Sequence, residues 1–186
     1  MRQVRRILVI QTAFIGDVIL TLPLMQVLKD FFADALIDVV VVPRSSEVCR
    51  NHPSIHRVVQ YDKRGADKGL GGLFRLGRRL HEEKYDLAMV PHRSLRSALL
   101  SVLAGSPLRI GFKRSMGRFL MTSTVRYDQN LHEVERNLAL LEALGIRDLG
   151  KQLPRVFPGP AEALAVDEAA KEQTASFRGK LVAIAP

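Results

Sequence analysis

The chain has 186 residues, 47% of them hydrophobic, enough for one domain with a sizeable core. One cysteine, Cys49, excludes an intrachain disulfide and fits a reducing compartment, and every uninterrupted apolar stretch falls well short of the ~20 residues a membrane-spanning helix needs. The formal charge of +9 is regional: residues 62–127 carry 14 Lys/Arg against 5 Asp/Glu, while residues 128–172 carry 5 against 9. Such a field attracts an anionic partner, whether nucleic acid, phosphorylated glycolipid or an anionic membrane face; solvated basic faces without a partner read the same way.

The first six residues and the apolar run behind them imitate a secretory signal. Gln11 and Asp17 interrupt that run and no small-x-small site follows, so the expectation is a chain without a targeting segment, working in the cytoplasm. Residues 7–10 read as a strand buried on both faces; the chain breaks at 12–16 and resumes at helical spacing. Asp17 stands at that break, near the carboxyl end of a strand, where open α/β sheets place their chemistry. The dipole of the following helix favours an ionised carboxylate there, a ready proton acceptor; equally, Asp17 reads as a first-turn cap.

Residues 36–42 form a second β-branched run closed by Pro43, with Ser45 as the expected cap of a short helix to His52. A third strand is expected at 57–61, a loop at 62–72, and a basic amphipathic helix at 73–83 with Leu73, Leu76 and Leu80 on one face. A fourth strand, 85–90, ends at Pro91 and delivers His92, Arg93 and Ser94 to the same rim as Asp17; a helix over 94–104 follows. Strands at 108–112 and 121–127 come next, then a helix from His132 to Leu144 stopped by Gly145. The alternation predicts an α/β fold with a doubly wound, mostly parallel, Rossmann-like sheet over residues 1–145. Residues 146–160 are turn-rich and read as a linker; an alanine-rich helix and a new strand at 180–186 complete 161–186.

The run ILVIQTAFIGDVILTLPLM resembles the opening of glycosyltransferase family 9, the ADP-heptose:lipopolysaccharide heptosyltransferases, through Thr12, Gly16, Asp17, Thr21, Leu22 and Pro23. The resemblance implies the acceptor-side half of a two-domain GT-B enzyme, with 161–186 opening the donor-binding half, and transfer of heptose from ADP-heptose to the lipopolysaccharide inner core with inversion. It implies Asp17 as base, no cofactor and no metal. A chain ending where the donor half begins is expected to be inactive alone. The anionic acceptor would meet Thr12, Phe14, Gly16, His92, Arg93, Arg75, Arg78, Arg79, Lys113, Arg114 and His132; Arg suits carboxylate and phosphate through its planar donor fork. His132, at the start of a helix ending in Leu-Gly, also reads as a plain cap. Ala13 and Phe14 stand where the family often carries small polar residues, which leaves the acceptor's identity open.

Other motifs are weak. The segment GLFRLGRR lacks the Lys-Ser/Thr of a phosphate loop, and the five histidines show no metal-ligand spacing with Cys49. A nucleic-acid-binding α/β domain is the alternative reading of the basic 62–127 region; 6% aromatics and no Trp count against a single-strand binder, so no nucleic acid is expected. A non-catalytic interaction module stays open as well.

Overall fold

The computed structural model describes residues 4–174, and the expected strand at 180–186 lies outside them. By chain contacts it divides into a compact unit, Met1–Val156, and a second, Phe157–Pro186. In the first, six strands, β1 (Arg6–Ile10), β2 (Leu36–Val41), β3 (Arg57–Gln60), β4 (Leu87–Val90), β5 (Leu108–Phe112) and β6 (Ser123–Val125), pair in the order β3-β2-β1-β4-β5-β6. Every pair is parallel. This is the doubly wound Rossmann order, whose direction reverses between β1 and β4.

Alternation along the strands builds two cores. Ile7 and Val9 of β1 and Leu87 and Met89 of β4 face one way, against helices α2 (Leu22–Phe31) and α6 (Glu133–Ala139). Leu8, Ile10, Ala88 and Val90 face the other, against α4 (Gly69–His81) and α5 (Leu95–Leu103). Burial on both sides is why these strands read as continuous apolar runs. The helix after β1 breaks in two, α1 (Ile15–Ile19) and α2, because Pro23 offers no N–H to continue the ladder. Five residues leave little of the dipole expected behind Asp17.

Two further boundaries differ from expectation. Ser45 does not cap: residues Pro43–Ser45 form a 3-10 turn, and Ser46 occupies the N-cap position of α3 (Glu47–Arg50) with its hydroxyl turned to the Pro43 carbonyl. Helix α4 begins at Gly69, four residues early, drawn in by the burial of Gly72 and Leu73 against the second core. Gly145 ends the last helical turn at φ 77, the left-handed conformation glycine adopts without strain. Ile146 and Leu149 pack on the first core, so that unit carries on beyond Gly145. In the second unit α7 (Pro160–Thr174) is described. Among the described residues no helix is long and apolar enough to cross a membrane.

Candidate functional site

The carboxyl ends of β1 and β4, on either side of the reversal, carry Thr12 and His92. Thr12 Oγ1 lies 2.9 Å from His92 Nδ1, and Ser97 Oγ and Ser94 Oγ stand 3.0 and 3.4 Å from the same nitrogen. Ser94 also caps α5, accepting the Ser97 N–H. Burial holds the His92 pKa below its usual value, helped by the charges of Lys63 and Arg93 and opposed by that of Asp17. The imidazole is therefore neutral at pH 7.

A cavity of about 590 Å³ opens here, lined by residues 12–15 of the β1–α1 junction, 42–45 after β2, 61–64 after β3, and His92. Lys63 Nζ donates to the Thr12 carbonyl at 2.8 Å. Burial, together with Arg64 and Arg96, lowers its pKa. The Asp62 carboxylate gathers the N–H groups of Arg64, Gly65 and Ala66, while Arg75 clamps the Ala66 carbonyl at 2.6 Å, so the loop bearing Lys63 and Arg64 is held firmly. Ser45 Oγ is buried without a hydrogen-bond partner among the described residues. The Tyr61 phenol is buried too; burial raises its pKa, and the nearby Arg96 guanidinium offsets part of that shift.

Asp17 is half-buried at this rim. Its Oδ2 accepts the Phe14 N–H at 3.1 Å, the capping geometry, and it makes no ion pair among the described residues. It does not line the cavity, though Phe14, 82% exposed, does. At Gly16 a Cβ would meet open space, so nothing around it requires a glycine.

The other expected contacts scatter. Arg93 lays its guanidinium over Tyr127, 4.2 Å from the ring centre, on the β6 side. Lys113 and Arg114 follow β5 on the same rim, exposed. Arg78 and Arg79 are not brought there: α4 runs antiparallel to the strands, which sets its last turn roughly 14 Å from its rim end at 1.5 Å per residue. His132 caps α6, its Nδ1 accepting the Val134 N–H at 3.3 Å while its own N–H goes to Glu135. The sequence reading missed Lys63 and Arg64. Their signal, a basic pair just beyond a strand's carboxyl end, is the one that singled out His92 and Arg93.

An all-parallel sheet in this order, with polar chemistry gathered at the reversal, defines a doubly wound, Rossmann-like α/β domain. The sequence profile of glycosyltransferase family 9 (heptosyltransferase) matches residues 73–186, and the chain belongs to that family. The match begins beyond the β1–α1 stretch whose residues opened the resemblance. Lipopolysaccharide heptosyltransferase 2 of Escherichia coli is 29% identical over 171 residues, 91% of this chain and 49% of that protein; its Salmonella typhimurium counterpart is 29% identical over 157 residues, 83% and 45%. A family 9 glycosyl transferase structure from Veillonella parvula superposes with a TM-score of 0.81 at 25% identity, over 95% of this chain and 51% of that one. The E. coli ADP-heptose heptosyltransferase II structure gives 0.73 at 24% identity and shares the fold. The chain spans about half the length of the curated relatives it matches.

Proposed function

We propose that this chain is the acceptor-side half of an inverting glycosyltransferase that moves heptose from ADP-heptose to the lipopolysaccharide inner core, at the cytoplasmic face of a membrane. Family membership supports the reaction class. The observation that carries the site is Asp17: one carboxylate oxygen is tied to the Phe14 N–H, and the other, Oδ1, accepts no hydrogen bond among the described residues, at a rim that flanks the cavity. An acceptor hydroxyl is a poor nucleophile until a base takes its proton. In this scheme Oδ1 receives the hydroxyl proton as the oxygen bonds to the anomeric carbon, and ADP departs with the electron pair of the broken bond, inverting that carbon. Lys63, Arg64 and Arg44 line the cavity as cations for the acceptor's carboxylate and phosphate groups. The scheme calls for no cofactor.

In a protein carrying both halves, Asp17→Asn keeps the Phe14 cap and is expected to lower turnover of ADP-heptose by at least ~10² with folding intact. The 186-residue chain alone is the control, expected to show no transfer. Unchanged turnover in the variant would remove Asp17 from the mechanism.

A further inference from the structure

Between Asp86 and Asp128 the chain contains no acidic residue. Inside that stretch, residues 113–122 join β5 to β6, and two inward residues set which of the others face water. Ser115 and Gly117 are buried, while Lys113, Arg114, Met116, Arg118 and Phe119 are exposed, Met116 at 73% and Phe119 at 74%. The inward pair anchors the loop on α5 and its approach: the Ser115 hydroxyl and the Met116 N–H both donate to the Arg93 carbonyl, at 3.2 and 3.1 Å. At Gly117 a Cβ would sit 2.2 Å from the Ala98 methyl, so only glycine lets the loop lie this close. Lys113, Arg114 and Arg118 make no ion pair or side-chain hydrogen bond among the described residues. Two large apolar side chains and three free cations thus project from a fixed loop.

We propose that this loop is a docking surface for an anionic lipid bilayer. Cations at headgroup depth are drawn to anionic lipid, and Met and Phe beside them enter the boundary with the acyl chains. A nucleic-acid duplex would satisfy the cations and leave Met116 and Phe119 in water; a bilayer takes both. The loop follows the carboxyl end of β5 and is bonded to Arg93, next to His92, so docking here sets the rim of the cavity against the membrane surface. The inference deepens the membrane placement in the proposed function and rests on it, while its test is independent of the transfer reaction.

The chain has no tryptophan, so Phe119→Trp installs a single reporter. With vesicles of phosphatidylglycerol in phosphatidylcholine, without any glycolipid acceptor, its emission is expected to shift to the blue and to be quenched by brominated lipid; pure phosphatidylcholine vesicles leave it unchanged. Phe74→Trp, at an exposed site on α4, serves as control and is expected to stay silent. Arg114→Glu with Arg118→Glu, and separately Met116→Ser with Phe119→Ser, should each lower vesicle partitioning at least ~10-fold, the charge pair in a salt-dependent way. An unmoved Phe119→Trp signal overturns the proposal, as does an equal response from Phe74→Trp. Binding of a short DNA duplex with the lipid response absent would assign the loop to nucleic acid. Because the vesicles hold no acceptor, none of these outcomes depends on the sugar chemistry.

Discussion

Around Nδ1 of His92 stand three hydroxyls, those of Thr12, Ser94 and Ser97, and their protons can be followed one by one. Ser94 and Ser97 are 3.0 Å apart, Thr12 and Ser97 3.2 Å, so the hydroxyls share two contacts among themselves for three protons. If Nδ1 accepts, every proton has an acceptor; if Nδ1 donates, one hydroxyl proton is left over. Ser94 is half-buried and can also give its proton to water; the arrangement that keeps every proton within the cluster puts the ring proton on Nε2. That nitrogen has no partner among the described residues and belongs to a side chain lining the cavity. Glutamine can place an amide N–H near the position of Nε2, and asparagine near that of Nδ1. Under the proposed acceptor role, His92→Gln is expected to bind a deacylated inner-core oligosaccharide within ~3-fold of the parent chain, and His92→Asn about 10-fold more weakly, the worth of one lost hydrogen bond. Calorimetric titration checks both, and the reverse order would mean that the ring serves the hydroxyl cluster instead. His92 was legible in the sequence because it follows a strand directly. Lys63 was not, since nothing local says that its ammonium reaches a carbonyl 51 residues earlier.

One hydroxyl joins three elements on the other side of the rim. Thr21 Oγ1 donates to the Asp17 carbonyl at 2.7 Å and accepts from Gln11 after β1 at 3.0 Å and Asn137 of α6 at 3.3 Å. Gln11 and Asn137 are buried, so no water replaces that oxygen. Thr21→Val keeps the shape and strands the Gln11 amide. A loss of about 2 to 3 kcal/mol in a urea titration is expected, within the range for buried donors left unpaired. Element positions were readable wherever burial on both faces makes strands apolar and Pro or Gly marks a break: the strand 108–112 agrees residue for residue. The start of α4 was hidden because Gly69, Gly71 and Gly72 argue against a helix, and packing against the second core decides the matter.

At the edge opposite the cavity, Asp38 is fully buried in β2 and joins three strand starts. It accepts from Tyr85 at 2.6 Å and Arg57 at 2.7 Å and lies 2.9 Å from His56, while Glu83 bonds both Arg57 and Arg6. In sequence Asp38 was only a polar interruption of a β-branched run, because all its partners except the β2 neighbours lie beyond residue 50 or before residue 7. Burial pushes its pKa up, but the hydrogen bonds from Tyr85 and His56 and the charge of Arg57 outweigh that and leave it below the usual value. Between the lowered value and about 3.9 the unfolded chain binds more protons than the native one. Its contribution is therefore present above about pH 4 and lost as pH falls through the folded value. His52 and His92, lowered chiefly by burial, act earlier: the unfolded chain takes up their protons below about 6.5 while the native chain does not. Stability should thus fall in two steps on acidification, one beginning near pH 6.5 and one below pH 4. Asp38→Ala is expected to remove the second step. At pH 7 it should cost about 3 kcal/mol, the low end for breaking a buried pair because the Arg57 side chain is 39% exposed. Urea unfolding across the pH range measures both, and an acid limb unchanged in the variant would show that the low-pH loss arises elsewhere in the molecule.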